Sequence, residues 1–437
     1  MVRTILTVVL AVWGVTAQAF CGFYVAKADG DLFNEGSRVV YFREGTLSVI
    51  TMASDYKGAA EDFAMIVPTP VVLPRPSIQT VDPKTVQHLD DYSAPRLVEY
   101  FDREPLCNDD YEGAQWVEEP VVVVEAAPRG AQPTQRQRAR SLGVSIEAKY
   151  AVGSYDILIL GAKESDGLAT FLTQEGYKLP DGAAAVLGQY IKGGMKFFVA
   201  RVNLKRHADG PQELQPLQIR FKSKDFMLPI QLGKVNGDGP QDVLMLMLSR
   251  KGRIEPTNYK AVELPTNLTI PGFVEKNFGA FYKAMFARAA PQGGGIVLEY
   301  AWDMGWCDPC AADPLNGKEL RELGVTRLKG NEEMVEEMYV TRLHARYQQG
   351  QMKQDIAFRE TSNRENFQGR FVIQRPFVGK FDLGDSVSAK EKACIADFIG
   401  DTRKRLRDEG KTLAKLTGWK QSQIDARISQ TVPKAYR

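Results

Sequence analysis

The stretch VVYFREGTLSVITM, residues 39–52, decides the fold, because two runs of β-branched and aromatic residues flank a turn that contains Gly45. A third run, FAMIVP at residues 63–68, ends at Pro68. Short runs of this composition between turn signals are typical of β-strands. The three runs therefore predict a β-sheet near the start of the mature chain.

Further strands and helices follow along the chain. Strand-like runs occur at Val144–Gly161, Lys196–Val202, Gln218–Phe221, Phe226–Leu232, Val243–Ser249, Ile296–Trp302 and Met338–Tyr347. Helical spacing or helix boundary signals occur at Leu168–Glu175, Ala183–Ile191 and Val274–Phe286, and as short pieces interrupted at Pro95 within Val81–Phe101. This order predicts an α+β fold of mostly antiparallel β-sheet regions with clustered helices.

The C-terminal segment is predicted to be helical. Ser388 and Glu391 form a capping box, apolar residues follow at helical spacing, and Gly418 is the expected stop. We therefore divide the chain into a signal peptide at residues 1–19, a β-rich α+β region at 20–270, and an α+β region at 271–437. The second region begins near Pro271.

The N-terminus predicts export. Arg3 is followed by an apolar run from Ile5 to Val15, and Ala17-Gln18-Ala19 is a small-x-small cleavage site. The run is shorter than the roughly 20 residues that span a bilayer. Cleavage near Ala19 would give a periplasmic or secreted protein. Lipid anchoring at Cys21 is disfavoured, because a lipoprotein signal needs a small residue before the cysteine and Phe20 stands there.

Composition excludes several classes of partner. The 437 residues contain 56 basic and 54 acidic side chains, so there is no net field that favours nucleic acid. We expect no transmembrane segment in the mature chain, because no apolar run after the leader approaches membrane-spanning length. Partners are unassigned, with an envelope protein as one candidate.

Residues 126–141, AAPRGAQPTQRQRARS, are predicted to form a mobile loop. They contain four arginines, two prolines and no large apolar residue, so they offer little to bury. A basic arm for an acidic partner is the alternative to a solvated loop.

The chain resembles an uncharacterised family of exported bacterial proteins catalogued as domain of unknown function 2330. The resemblance rests on these motifs: Cys21-Gly22-Phe23, Glu61-Asp62-Phe63-Ala64, Val67-Pro68-Thr69-Pro70, Ala94-Pro95-Arg96-Leu97, Val152-Gly153-Ser154-Tyr155-Asp156, Gly176-Tyr177-Lys178-Leu179-Pro180, Cys307-Asp308-Pro309-Cys310, Thr341-Arg342-Leu343-His344 and Leu416-Thr417-Gly418-Trp419. The resemblance supports expectations about the location and the architecture of the protein. It implies no activity and no catalytic residue for this chain.

Cys307 and Cys310 form the motif with the clearest chemical meaning. Trp306-Cys307-Asp308-Pro309-Cys310 follows a predicted strand and is similar to a thioredoxin-type active site. However, Asp308 disfavours a thiolate by like-charge repulsion, and the next helix is predicted to begin beyond Asn316. We therefore favour a structural disulfide over a redox pair.

The remaining cysteines leave alternatives open. If Cys307 pairs with Cys310, then Cys21, Cys107 and Cys394 share at most one bridge, and Cys21 with Cys107 is the preferred pair. Zinc held by Cys307, Cys310, Cys394 and His344 is chemically feasible, but the spacing matches no recognised site and export disfavours it. We expect no metal and no cofactor.

Arg342, His344 and Arg346 alternate along one predicted strand and therefore share one face. These residues could hold an anion, but a solvated or locally salt-bridged face is the interpretation that we favour. No nucleotide-binding or hydrolase motif accompanies them. The sequence thus favours a binding or envelope-structural protein over an enzyme, with a periplasmic thiol-disulfide oxidoreductase as the alternative.

Overall fold

The structure is a computed structural model. It describes residues 23–25, 33–57, 64–107, 142–177, 179–208, 214–236, 240–291, 294–306, 312–330, 335–348, 350–381, 383–384 and 387–436. The leader, the 126–141 loop and the Cys307/Cys310 pair lie outside these residues, so the statements about them remain predictions.

Short and long strands occur throughout the described chain. In chain order they are β1 (Phe23–Val25), β2 (Phe33–Glu44), β3 (Leu47–Lys57), β4 (Ala64–Thr69), β5 (Ile78–Thr80), β6 (Arg96–Phe101), β7 (Val144–Val152), β8 (Tyr155–Ala162), β9 (Lys196–Val202), β10 (Leu217–Lys222), β11 (Met227–Leu228), β12 (Gln241–Ser249), β13 (Ile254–Pro256), β14 (Ala261–Glu263), β15 (Leu268–Thr269), β16 (Gly295–Asp303), β17 (Lys329–Gly330), β18 (Val335–Glu336), β19 (Tyr339–Tyr347), β20 (Ile356–Glu360), β21 (Phe367–Gln368) and β22 (Arg370–Arg375).

The α-helices lie between the strands and at the C-terminal end of the chain. They are α1 (Pro83–Ser93), α2 (Ser165–Gln174), α3 (Ala183–Lys192), α4 (Leu204–Ala208), α5 (Phe278–Ala289), α6 (Gly317–Glu322), α7 (Ala389–Thr417) and α8 (Gln421–Thr431). The predicted boundaries of α7 are confirmed, because Ser388 and Glu391 form a capping box and Gly418 adopts φ 74° at the C-terminus.

Two sheets contain most of the strands among the described residues. The larger has the order β14-β16-β19-β12-β2-β3-β10-β5, with β21 also paired to β16, and the smaller has the order β1-β4-β9-β8-β7. Shorter sheets are β11-β20-β13, β15-β22-β6 and β17-β18. Antiparallel pairing dominates, and β12 with β2 is one of the parallel exceptions. The predicted α+β class is confirmed.

The two large sheets pack face to face, with helices on their outer faces. Val39 and Tyr41 point into the core between the sheets, whereas Val40 and Phe42 point into a core on the opposite face. β2 is therefore buried on both sides, which explains its unbroken apolar run. Helices α1 and α6 cover one part of that outer face, and α5, α7 and α8 cover another, while α2 and α3 cover the five-stranded sheet.

The boundary expected near Pro271 does not separate two sheets. β12 comes from the first predicted region and β19 from the second, yet they pair continuously from Gln241↔Tyr347 to Ser249↔Tyr339. β16 then adds to the same sheet beside β19. The regions on either side of residue 270 therefore share one sheet.

Two predicted elements were wrong in part. Only the first half of Val81–Phe101 is helical, because Arg96–Phe101 forms β6 and pairs in parallel with β22. Pro95 separates the two elements, and the β-branched and aromatic residues after it suit a strand. The predicted strand Phe226–Leu232 is limited to Met227–Leu228, since Pro229 has no backbone N–H to continue a ladder.

Candidate functional site

A chain of alternating charges, which we call the buried ion network, crosses one face of the nine-stranded sheet. It consists of Arg38, Asp90, Arg342, Glu299, His344, Asp242 and Arg346. Three of its members come from β19, where the two-residue period of a strand places them on one face as predicted. The network lies between the apolar clusters under α1 and under α5.

Glu299 is the central anion of the network. Its side chain is fully buried, and it accepts hydrogen bonds from Arg342 Nε at 2.7 Å, from His344 Nδ1 at 2.7 Å and from the Tyr282 hydroxyl. A register irregularity between Leu298 and Tyr300 falls at this position. A bulge changes the direction in which a side chain projects, and here Glu299 meets two cations of β19.

Asp242 is the second anion and lies on β12, on the other side of β19. It accepts two hydrogen bonds from Arg346, at 2.8 and 2.7 Å, and one from His344 Nε2 at 3.0 Å. The paired Arg346 contact has the two-point geometry in which a guanidinium binds a carboxylate most strongly. His344 thus lies between two carboxylates.

Asp90 connects the network to α1. Arg342 Nη1 donates to the Asp90 carboxylate and, at 2.9 Å, to its backbone carbonyl, while Arg38 Nη1 donates to the same carboxylate at 3.0 Å. Asp82 is the N-cap of α1, and its side chain accepts a hydrogen bond from Lys84 N. The contacts at Asp90 fix the C-terminal half of this helix over the sheet.

Proton affinities reflect these contacts. Burial alone would raise the pKa of Glu299 and Asp242, but His344 and its arginine neighbours lower both to about 2. Burial alone would lower the pKa of His344, and the two carboxylates instead raise it to about 9. The histidine is therefore a cation at neutral pH, and both of its ring N–H groups donate.

Helix α5 covers the network with aromatic rings. Phe286 stacks on His344 with ring centroids 3.9 Å apart, and Arg346 lies over the same Phe286 ring at 4.8 Å. Tyr282, one turn earlier, binds Glu299. The rings shield the charges from water, which strengthens their mutual attraction.

The three candidate anion-binding residues, Arg342, His344 and Arg346, all belong to the buried ion network. All three cations already face protein carboxylates, and Arg342 and His344 are largely buried. The salt-bridged alternative describes the geometry. The network can position α1 and α5 on the sheet, and each of its charged groups contacts at least one group of opposite charge.

The cysteines give a correction to the sequence analysis. Cys107 is bonded to Cys394, with the Cα atoms 5.8 Å apart, so the preferred pairing of Cys107 with Cys21 was wrong. The bridge joins the segment after β6 to the first turns of α7. It also removes Cys394 as a zinc ligand, and His344 binds Glu299 and Asp242 instead. Among the described residues, no cluster of three or more His, Cys, Asp or Glu residues could hold a metal ion.

A cavity of about 100 Å³, which we call the inter-sheet pocket, lies where three sheets meet. Its walls come from β3, β4, β10 and β11 and from the turns beside them. The lining residues are Ile50, Met52, Val67, Pro68, Pro70, Met195, Phe221, Ser223, Asp225, Met227, Leu228 and Pro229. Three methionines give this wall flexible, polarizable contact surface.

A second depression, of about 270 Å³, lies along residues 253–263 against Leu298 and Leu343. Most of its charged side chains are engaged within the protein: Arg253 is 3.6 Å from Glu263, and Glu255 binds Arg359 at 2.8 Å. This depression is more polar than the inter-sheet pocket, and three of its four charged side chains already have partners. The inter-sheet pocket is therefore the better candidate for an apolar ligand.

Comparison with known proteins agrees with the motifs. A family model described as an uncharacterized protein conserved in bacteria, DUF2330, matches residues 15–359. The chain belongs to this family. No curated protein and no solved structure matches the chain. The family match ends before α7 and α8, so the Leu416–Trp419 motif lies beyond the matched residues.

Sequence reasoning missed the acidic half of the network. Glu299 is a single carboxylate within the apolar strand GIVLEYAW, and Asp242 precedes the apolar run VLMLML. An ionised side chain inside a buried strand requires a partner, so the isolated charge was the available signal. The inter-sheet pocket left no comparable signal, because its lining residues are ordinary strand residues far apart in sequence.

Proposed function

We propose that this member of the family is an exported protein, periplasmic or secreted, that acts by binding a ligand with an apolar group in the inter-sheet pocket. The pocket is the observation that carries the proposal. It joins a buried apolar floor to one charged side chain, Asp225, and small-ligand sites typically combine mainly apolar walls with few polar groups.

The disulfide supports export. Cys107 and Cys394 are 287 positions apart and form a bond that persists in oxidising compartments and is rare in the cytosol. The leader that ends near Ala19 supports the same location. Among the described residues, no helix is both long enough and apolar enough to cross a membrane.

Export is tested by mass spectrometry of the protein isolated from its native cell fractions. We expect a mature N-terminus at Phe20 and a Cys107–Cys394 bond in non-reduced peptide maps. An intact Met1 leader, or a lipid on Cys21, would contradict export as proposed here.

Binding is tested by isothermal titration calorimetry with a neutral apolar probe, 1-hexanol. We expect saturable binding to the wild-type protein and none to Met195→Trp, in which the half-buried side chain at the pocket wall is enlarged to fill the space. A matched enlargement away from the pocket, Val378→Trp at a highly exposed position, should leave binding unchanged. Equal binding by all three proteins would place the probe elsewhere and refute the proposal.

A thiol-disulfide oxidoreductase remains the second candidate. Trp306, directly before Cys307, is 54 % exposed and contacts Trp302 at a centroid distance of 5.1 Å. An exposed aromatic residue beside the motif suits a surface that meets protein substrates. An envelope protein as partner also remains a proposal.

A further inference from the structure

The inter-sheet pocket has a buried end and an exposed end. Ile50, Met52 and Leu228 are almost completely buried and form the floor, whereas Asp225 is exposed and lies at the mouth. A ligand therefore enters with its apolar end first. Its polar end then remains near Asp225.

Internal contacts hold the mouth in place. The buried Arg43 donates through Nη2 to the backbone carbonyls of Ser223 and Lys224, at 3.0 and 3.3 Å, and its guanidinium lies over the Phe226 ring. The backbone N–H of Asp225 donates to Ser223 Oγ at 3.1 Å. These contacts order the loop before a ligand arrives, which lowers the entropic cost of binding.

Asp225 is the charged side chain among the residues that line the pocket, and within the described part of the chain its carboxylate forms no ion pair. The buried Arg43 and the sequence neighbours Lys222 and Lys224 do not line the pocket, and the Arg43 guanidinium is held by the backbone carbonyls of residues 223–225. The carboxylate that lines the mouth thus favours a cation or a hydrogen-bond donor.

Resting on the proposed function, we propose that the ligand of the inter-sheet pocket is a small amphiphilic amine, whose apolar tail contacts the floor and whose ammonium group pairs with Asp225. The volume of about 100 Å³ is smaller than the roughly 150 Å³ of a cavity that binds benzene in another protein, so it suits a slim alkyl chain better than a ring. A lysine side chain of a partner protein would not fit in this way. Its charged tip would enter first and would contact the apolar floor.

The test compares three probes of equal length at pH 7: n-hexylamine, 1-hexanol and hexanoate. Isothermal titration calorimetry should give the tightest binding for hexylamine, about tenfold weaker binding for hexanol, and the weakest for hexanoate. Asp225→Asn should remove the preference for the amine and keep the affinity for hexanol. Asp181→Asn, which changes an exposed carboxylate outside the pocket, should behave as wild type.

The outcomes separate this inference from the proposed function. If hexanol binds at the pocket but hexylamine binds no tighter, or if Asp225→Asn retains the preference, the amine assignment is wrong and the apolar binding site stands. If none of the three probes binds saturably, the proposed function fails and the amine assignment fails with it. Circular dichroism of each variant verifies that it is folded.

Discussion

His344 and Glu299 lie on neighbouring strands with Nδ1 2.7 Å from Oε1, at the position where β16 bulges. Glu299 has no exposed surface, and Phe286 stacks on the imidazole. Both charged side chains are therefore almost completely removed from water and contact protein groups instead. Removal of one partner would leave the other charge buried and uncompensated, which costs far more than an exposed ion pair contributes.

Glu299→Gln should strongly destabilise the protein. The amide keeps the size of the side chain but leaves the charges of Arg342 and His344 without their shared anion, so we expect a loss of about 3–5 kcal/mol in the free energy of unfolding. Urea denaturation measures it. Glu263→Gln, at a side chain 61 % exposed, is the control and should change stability by less than about 1 kcal/mol. A loss at Glu299 no larger than the control would contradict the central role of this carboxylate.

Stability should depend on pH through His344. Its pKa is raised from 6.5 to about 9 in the folded protein, so the stabilisation is complete below pH 6.5 and disappears as pH rises through 9. Glu299 and Asp242 have pKa values lowered to about 2, so their stabilisation is present above their ordinary values of 4.5 and 3.8 and disappears toward pH 2. The network therefore contributes most between about pH 4.5 and 6.5.

The measurement is the free energy of unfolding of wild type and His344→Gln from pH 3 to pH 10. The difference between them should shrink from pH 6.5 to pH 9, because the wild-type histidine gradually loses its charge. His207→Gln, outside the network, should keep the wild-type profile. A difference that stays constant across this range would show that His344 does not stabilise the fold as a cation.

Local sequence signals predicted most of the elements that build the large sheets. Alternating or continuous apolar runs identified β2, β3, β9, β12, β16 and β19, because strand periodicity and β-branched composition are local properties. The same period predicted that Arg342, His344 and Arg346 share a face. Their acidic partners could not be predicted in the same way, since β12 and β16 pair with β19 across long separations.

Other features depended on contacts that no local pattern specifies. β6 was misread as helical because Leu97 and Tyr100 fit a helical spacing, and its pairing with β22 decides the conformation. The Cys107–Cys394 bond follows from the packing of α7 near the segment after β6. Counting cysteines could limit the number of bridges but could not select this pair.

Glu409 is a buried carboxyl group of α7 with an incomplete set of partners. Arg405 Nε lies 3.3 Å from Glu409 Oε1, but both Nη atoms of Arg405 bind Asp102, at 2.9 and 2.6 Å. No residue that the structure describes donates a hydrogen bond to either Glu409 oxygen. One guanidinium thus faces two carboxylates, and burial raises the pKa of Glu409 to about 8.

Glu409→Gln should stabilise the protein more at pH 8 than at pH 5. Between its ordinary pKa of 4.5 and about 8, the folded state holds a proton that the unfolded chain releases, so wild-type stability falls as pH rises across this window. The neutral amide removes this loss, which we expect to be about 2–4 kcal/mol at pH 8. Thermal unfolding at several pH values measures it, with the exposed Glu104→Gln as control. An equal effect of Glu409→Gln at pH 5 and pH 8 would show that Glu409 does not titrate in this way.

The last prediction concerns Cys307 and Cys310, which we expect to form a structural disulfide after β16. The proposed export to an oxidising compartment would favour the bond, and Asp308 disfavours a thiolate by like-charge repulsion. The next described helix, α6, has Asn316 as its N-cap, with the capping box to Glu319 in place, so its positive end lies several residues beyond Cys310. In a thioredoxin-type enzyme the dipole of the helix that follows the motif lowers the pKa of the thiol. Helix α6 begins too far beyond Cys310 along the chain for its dipole to act in this way.

The measurement is the reduction potential of the pair together with insulin reductase activity. Structural bridges lie below about −300 mV, whereas catalytic pairs lie at roughly −120 to −270 mV. We expect a value in the lower range, no turnover, and a loss of stability in the Cys307→Ser, Cys310→Ser double variant. The Cys107→Ser, Cys394→Ser double variant is the control, because it removes the other bridge and keeps the motif. A potential in the catalytic range with turnover that survives in this control would make the oxidoreductase the better description of the protein.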